Sequence, residues 1–374
     1  MKKITVLGAG MVGSAIVLDL AQNYQVTSID INEENLLLLK NIPGIKTQVA
    51  DLTNRKNIKN LIADCDLVVN AVPGFMGFKT TKAVIEAGKD IVDISFFPED
   101  CFKLDKLAKQ KGVTAIVDCG VAPGMGNIIL GHHHAAMNVE SYECYVGGLP
   151  FKRNLPFQYK APFSPFDVIE EYIRPARYLK DGKLIIMPAL SEPEFLDFEE
   201  IGTLEAFNTD GLRSLLFTIK IPNMIEKTMR YPGHIKYMKM LKDSGFFRED
   251  EISVKGIKIK PIDMTAHLLI DKWKLDENEP EFTVMRIIIN GKENGKSIRW
   301  QYDLFDKYDE KTEISSMART TGYTATSVAS LVLKGDFRRP GINPPEFIGA
   351  EKGCLDKILH YQKQRGIIYR ISCS

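Results

Sequence analysis

The chain has no Cys-x-x-Cys pair, almost no net charge, no internal repeat and no low-complexity stretch. Beyond residue 18 it also lacks the run of roughly 20 apolar residues that a membrane span requires. Each absence removes a class of function. Its six cysteines, at 65, 101, 119, 144, 354 and 373, match no zinc module. A chain this long does not need disulfide staples, so a reduced, cytoplasmic setting is expected. A formal net charge of +1 offers no field for nucleic acid or an anionic membrane surface. His132-His133-His134 cannot close on one metal ion, because neighbours on a helix point about 100° apart. A helix surface is expected there, and no metal. What remains is an ordinary globular chain of 374 residues, 44% apolar and 26% charged, long enough for two domains.

The first informative stretch is "KKITVLGAGMVGSAIVLDLAQ", residues 2–22. Two lysines before an apolar run imitate a secretory signal peptide. The same residues spell Gly8-x-Gly10-x-x-Gly13 between a β-branched strand and a segment with Val12, Ile16 and Leu20 on one helical stripe. A second strand, "QVTSID", ends in Asp30, 22 residues after Gly8. Strand, glycine turn, helix and acid at this spacing form a dinucleotide cradle. Gly8 permits the tight turn, Gly10 the approach of a pyrophosphate, and Gly13 the close packing of helix on strand. The N–H groups at Met11 and Val12 open the helix toward the phosphates. Asp30, followed by Ile31 rather than an arginine, would bind ribose hydroxyls and repel a 2′-phosphate, which favours NAD over NADP.

Strands and helices then alternate to about residue 118, which implies a parallel sheet covered on both faces. The C-terminal strand ends that line its crevice carry Asp51-Leu52, Ala71-Val72-Pro73-Gly74, Asp93-Ile94-Ser95-Phe96 and Asp118-Cys119-Gly120. Asp51 and Leu52 are expected beside the adenine, and Ala71, Val72 and Pro73 beneath the nicotinamide ribose. The pattern changes near "GVAPGMGN". "SYECYVGGL", "LEAFN", "EFTVMRIIIN" and "KSIRWQYDLF" read as strands of a mixed, largely antiparallel sheet. "NLPFQYKAPFSPFDV" and "SEPEFLDFEE" read as compact loops, and "EISSMARTTGYTATSVASLVLKG" returns to a helical pattern. The fold class is therefore α/β. A Rossmann domain over 1–125 precedes a second α/β domain over 126–315, and a helical segment over 316–374 packs back on the first.

Long strings across almost the whole chain sharpen this reading: "GFMGFKTTKA", "VDISFFPED", "GVAPGMGNIILG", "YVGGLP", "DVIEEYIRPAR", "FNTDGLRSL", "TMRYPGH" and "SSMARTTGYTA". In these the chain resembles the lysine 6-dehydrogenases, a branch of the saccharopine dehydrogenase-like family. The resemblance implies NAD-dependent oxidative deamination of the ε-amine of L-lysine to allysine, which cyclises, and a second domain that mediates homodimerisation. Saccharopine reductases share the "GVAPG"-type turn and "RYPG" but tend to carry an Asn-Arg-Asp run where this chain has "FNTDGLRSL", so one arginine is displaced. A saccharopine-forming or polyamine-related dehydrogenase, and a catalytically silent NAD-binding regulator, are the alternatives.

The chemistry demands a neutral amine, a base for water attack on the iminium and a grip on the α-carboxylate. Arg213 and Arg230 are candidate carboxylate clamps, with backbone N–H groups of the "GVAPG" turn as a further candidate. Asp210 would orient an arginine or meet the α-ammonium. Asp93, Lys79, Thr228 and His234 are candidates for amine binding and proton transfer. Phe96, Cys119, Gly120 and Pro123 are expected against the substrate, with Cys119 as a contact rather than a thiolate nucleophile.

Overall fold

The computed structural model describes residues 1–161, 165–276 and 279–374, with side chains for all of these except 55–56 and 165–167. It divides into two compact units, Met1–Met137 with Met317–Ile368, and Asn138–Ser316 with Tyr369–Ser374.

The first unit opens with β1 (Lys3–Leu7), α1 (Met11–Leu20), β2 (Gln25–Asp30), α2 (Glu33–Leu37), β3 (Ile45–Val49), α3 (Arg55–Leu61), β4 (Leu67–Asn70), α4 (Gly74–Glu86), β5 (Asp90–Asp93), α5 (Asp105–Lys111), β6 (Thr114–Ile116) and α6 (Met125–Ala136). The second contains β7 (Asn138–Pro150), α7 (Pro165–Ile173), β8 (Ala176–Lys180), β9 (Lys183–Met187), β10 (Glu194–Phe198), β11 (Gly202–Asn208), α8 (Leu215–Thr218), β12 (Asn223–Arg230) and α9 (His234–Asp243). It continues through β13 (Ile252–Val254), β14 (Ile257–Ile259), α10 (Pro261–Trp273), β15 (Glu281–Glu293) and β16 (Lys296–Lys307). The chain then returns to the first unit with α11 (Ser316–Lys334), β17 (Gly341–Asn343), α12 (Pro345–Ala350) and α13 (Cys354–Lys363), and ends in the second with β18 (Tyr369–Cys373).

In the first unit seven parallel strands run in the order β17-β6-β5-β4-β1-β2-β3. The Ile, Val and Leu residues of β1 and β4 are buried, as strands covered on both faces must be. The order reverses between β1 and β4, the point beyond whose strand ends open α/β sheets bind their ligands. The second unit holds a nine-stranded sheet with the path β10-β11-β12-β7-β15-β16-β18, in which β8 joins β12 and β9 joins β8. Among the described residues of this sheet, only β12 and β7 pair in parallel. Side chains alternate across it: Ala206 joins a core with Leu204, Met229 and Phe282, and Phe207 one with Tyr172, His234's neighbour Ile235, and Trp273.

The α/β class and the mixed second sheet agree with the expectation. The boundaries differ. Residues 126–137 belong to the first unit, because α6 crosses α12 there at glycine contacts. The segment after 315 supplies a strand, β17, as well as helices, and residues 369–374 pair with β16. "SEPEFLDFEE" is not all loop: Glu194–Phe198 forms the edge strand β10, whose alternation matches that of β11. "NLPFQYKAPFSPFDV" ends in α7, and its residues 162–164 lie outside the described residues. His133 is buried rather than on a helix surface, and its desolvation, with His132 beside it, lowers its pKa to about 4.

Two glycines make the α6–α12 crossing possible. A Cβ at Gly131 would stand 2.1 Å from the carbonyl oxygen of Glu346, and one at Gly349 would stand 1.9 Å from that of Ile128. Alanine normally gains about 1 kcal/mol over glycine inside a helix. Here the overlap falls on backbone, which yields little. Gly131→Ala is therefore expected to lower unfolding free energy by about 1–3 kcal/mol, measured from urea denaturation midpoints. An unchanged or raised midpoint would show that the helices separate freely.

Candidate active site

The cradle after β1 is built from close approaches. Gly8 has φ +100°, and its N–H donates to the Ile29 carbonyl at 2.8 Å. A Cβ at Gly8 would lie 2.6 Å from the Ala71 oxygen, and one at Gly13 would lie 2.2 Å from the Gly8 oxygen. At Gly10 no atom stands within 4 Å of where a Cβ would be. Gly8 and Gly13 thus serve packing, and Gly10 leaves an open approach to the backbone. This is the arrangement a bound dinucleotide pyrophosphate needs, so the residues present fit that group. Met11 is exposed beside this opening and Val12 is half-buried. Asp30 is partly committed to the cradle itself: Oδ2 accepts from the Ala9 N–H at 2.6 Å, and Oδ1 from the Asn32 N–H at 2.8 Å. Each oxygen retains a second lone pair for a ribose hydroxyl. Ile31 is exposed next to it.

The other strand ends divide sharply. Asp51 is exposed, and bonds from the Thr53 hydroxyl and N–H hold its carboxyl below the usual carboxylate range. The side chains of Leu52 and Val72 belong to the hydrophobic core, so they offer a ligand only backbone. Ala71 is half-buried and Pro73 exposed.

Asp93, at the end of β5, is fully buried among donors. Oδ2 accepts from Asn70 Nδ2 at 2.5 Å, Thr81 Oγ1 at 2.7 Å and Ser95 Oγ at 2.9 Å, and Oδ1 accepts from Ser95 Oγ at 2.7 Å. Burial pushes its carboxyl up to about 7, against the opposing pull of the Thr81, Ser95 and Asn70 bonds, with Asp118 adding repulsion. Asn70 and Thr81 escaped the sequence reading, which named Ser95 only within the strand-end run Asp93-Ile94-Ser95-Phe96; the signal for Asn70 was a polar residue closing an otherwise apolar strand. Lys79 is exposed on α4, about 200° around the helix from Thr81, so it does not join Asp93. Cys119 is buried, and desolvation raises its thiol, which argues against a thiolate nucleophile. Phe96 is half-buried. The "GVAPG" turn closes on itself: the N–H of Gly120 donates to Pro123 O at 3.0 Å, that of Met125 to Gly120 O at 3.0 Å and that of Gly124 to Asn127 Oδ1 at 3.2 Å. Within the turn the N–H groups of Gly120 and Gly124 are therefore occupied, and Pro123 has none to offer.

The second unit gathers its own charged residues, and here the expectations change. Arg230 is buried and committed on every nitrogen. Nη2 donates to Glu171 Oε2 at 2.8 Å and Tyr159 Oη at 3.4 Å, Nε to Tyr172 Oη at 3.3 Å and Nη1 to Met229 O at 2.9 Å, with the guanidinium 4.4 Å over the Tyr159 ring. A substrate carboxylate has no free edge of Arg230 to meet. His234 is buried beside it, with Nδ1 at 2.8 Å from Phe157 O and Nε2 at 2.9 Å from Tyr172 Oη. A carbonyl can only accept, so Nδ1 carries the proton and Nε2 accepts from the tyrosine. Burial, with Arg230 nearby, lowers its pKa to about 3. Both ring nitrogens are engaged and the ring stays neutral, so His234 is a packing residue rather than an acid/base group. Thr228 is buried with its hydroxyl 3.0 Å from that of Thr209. Asp210 is held, but by a residue the sequence did not single out: Arg177 donates Nε to Oδ1 at 2.8 Å and Nη2 to Oδ2 at 2.9 Å. Arg213 is half-buried with φ +50°. Among the described residues no cluster of histidine, cysteine and carboxylate side chains could hold a metal ion, and no helix is long and apolar enough to cross a membrane.

With this geometry in place, comparison with known proteins gives a consistent result. Residues 4–116 match the saccharopine dehydrogenase NADP binding domain, and residues 120–367 match the saccharopine dehydrogenase C-terminal domain. Carboxyaminopropylagmatine dehydrogenase of Synechocystis sp. is 25% identical over 375 residues, covering 91% of this chain and 92% of that protein. The NADP(+), L-glutamate-forming saccharopine dehydrogenase of Saccharomyces cerevisiae is 26% identical over 265 residues, 67% of this chain and 59% of that one. The apo structure of the histidine-tagged yeast enzyme shares the fold, with a TM-score of 0.82 at 21% identity over 100% of both chains.

Two outcomes follow from the site. Gly10→Ala should leave the urea midpoint in place while weakening dinucleotide binding at least tenfold in a fluorescence titration, whereas Gly13→Ala should destabilise the fold. Equal behaviour of the two variants would contradict the assigned roles. For Asp93 the folded pKa, about 7, lies above its unfolded value, so the folded state binds more protons between pH 4 and 7. Its contribution to stability is complete below the unfolded pKa and is lost as pH rises through 7. Asp93→Asn should flatten that decline, measured as urea midpoints at pH 5 and pH 8; an unaltered slope would rule out Asp93 as the titrating group.

Proposed function

The chain belongs to the saccharopine dehydrogenase family of NAD(P)-dependent oxidoreductases acting on amino-acid and amine substrates, and from that premise we propose that it oxidises the ε-amine of L-lysine. In net terms R–CH2–NH3⁺, NAD⁺ and water give R–CHO, NH4⁺, NADH and a proton. When bound, the nicotinamide takes up the hydride leaving the substrate's ε-carbon. Gly8, Gly10, Gly13 and Asp30 hold the dinucleotide. Asp93, with its carboxyl near neutrality, holds or releases a proton.

One observation carries the choice of lysine. Four cations of the second unit bring their own carboxylates: Arg177 with Asp210, Arg230 with Glu171 at 2.8 Å, Lys227 with Glu194 at 2.6 Å, and Lys160 with Glu279 at 2.6 Å. A substrate with three carboxylates calls for several unmatched cations. Lysine carries one carboxylate and two ammonium groups, so locally balanced charge suits it better. A second reading, a polyamine-type secondary amine, is favoured by the match to carboxyaminopropylagmatine dehydrogenase over 92% of that protein.

For the cofactor we propose NAD over NADP. The Asp30 carboxylate stands at the cradle with free lone pairs and would repel a 2′-phosphate. The test is the appearance of reduced nicotinamide with L-lysine, saccharopine, ornithine and an aminopropyl secondary amine, each with NAD and NADP. Lysine with NAD should give the highest kcat/KM. Turnover of saccharopine or the aminopropyl amine without lysine would overturn the substrate assignment, and wild-type preference for NADP would overturn the cofactor assignment. Asp30→Ser with Ile31→Arg should shift the NAD/NADP ratio at least tenfold toward NADP.

A further inference from the structure

Carboxylate recognition in this unit needs a guanidinium that is fixed in place yet retains an unused donor edge. Arg230 is fixed but spent, since all of its nitrogens donate inside the protein. Arg177, on β8, meets both conditions. Its Nε and Nη2 clasp the two oxygens of Asp210, which is only 7% exposed, while the Arg177 side chain is 34% exposed. A guanidinium has five N–H groups in one plane, and this clasp uses two. Among the described residues Nη1 has no partner, so Nη1 and the remaining Nη2 proton form a second fork on the far edge. A buried carboxylate that grips only one edge fixes the plane of the ring and leaves the other edge presented. Asp210 follows Thr209, whose hydroxyl meets that of Thr228, so polar hydroxyls flank the pair in the chain.

We infer that Arg177 is the residue that binds the substrate's carboxylate, and that Asp210 positions it. The assignment rests on the proposed amino-acid substrate and names the group that recognises it. No covalent step is involved: a carboxylate displaces water from the Nη1–Nη2 edge, and Asp210 keeps the Nε–Nη2 edge.

The test separates this assignment from the proposed function. Turnover of lysine by the wild-type enzyme tests the function. Should saccharopine be oxidised instead, that reading falls, and Arg177 is tested with saccharopine, whose carboxylates make the same demand. With whichever amino acid is turned over, Arg177→Ala should raise KM about thirty- to a hundredfold while kcat stays within about threefold, because a charge-assisted bidentate contact is removed from ground and transition states alike. Guanidinium ion at tens of millimolar should restore part of the loss, which a merely structural defect would not allow. Asp210→Asn should raise KM less, since the arginine remains but its orientation loosens. A KM within threefold of wild type for Arg177→Ala, or a loss confined to kcat, overturns the assignment. If Arg177→Ala fails to fold, Arg177→Lys keeps a cation beside Asp210 but lacks the second fork; raised KM with kcat retained supports the assignment, and unchanged KM overturns it.

Discussion

Gly13 sits where a single methyl group would be driven to 2.2 Å from the Gly8 oxygen, and Gly8 sits where one would reach 2.6 Å from the Ala71 oxygen. These contacts bring α1, the turn after β1 and the end of β4 together at the point where the strand order reverses. The carbonyl of Leu7 then accepts from the Ala71 N–H at 2.8 Å, so β4 ends level with the glycine turn. Asn70, the last residue of β4, reaches Asp93 at the end of β5. Close approach therefore passes from strand to strand along the crevice edge. It continues at α4, where a Cβ at Gly77 would fall 2.1 Å from Ser95 Oγ, so the Ser95 and Phe97 side chains pack directly on the helix backbone. The buried carboxyl is thus placed by close approaches that only glycine tolerates.

The second unit solves a different problem, the burial of charge. A buried cation without a partner costs several kcal/mol, and a matched pair roughly breaks even. Arg230, Lys227 and Lys160 are each brought to an acid, and Arg230 is further enclosed by Tyr159, Tyr172 and the Met229 carbonyl. This network joins α7, β12 and α9, and its satisfied donors make it a rigid support rather than a ligand site. Arg177 differs in one respect: its pairing is one-sided.

Local patterns were legible in the sequence, and pairings between distant segments were not. The glycine turn, Asp30 and the alternation to residue 118 depend on neighbours a few residues apart, and each took its expected place. The β8–β9 hairpin was legible in principle, since Asp181 and Gly182 have φ of +51° and +74° between two alternating strands. An Asp-Gly pair in that setting is a strong turn signal. β10 was obscured because Pro193 and a run of acids surround "EFLDF", and only its partner β11 makes it a strand. The roles of Arg230 and His234 turned on Tyr159 and Tyr172, more than 55 residues away in sequence. Side-chain type alone marked both as candidate reactive groups; enclosure made both structural.

Two buried titratable groups clarify how the work is divided between the units. Desolvation acts on Asp93 and His234 alike, opposing the charged form of each. For an acid it raises the pKa, and Asp93 arrives at about 7; for a base it lowers it, and His234 falls to about 3. At neutral pH the first is close to equal protonated and ionised populations, whereas the second is locked neutral. The same burial therefore makes the carboxyl exchangeable and the imidazole inert. Asp93 also has hydroxyl donors on both oxygens, through which a proton can be passed, while His234 is bounded by a carbonyl that can only accept. Of the two, only the carboxyl of the first unit changes its protonation near neutral pH. In the second unit the buried Arg230 is enclosed on every nitrogen, whereas Arg177 is clasped on a single edge by the buried Asp210.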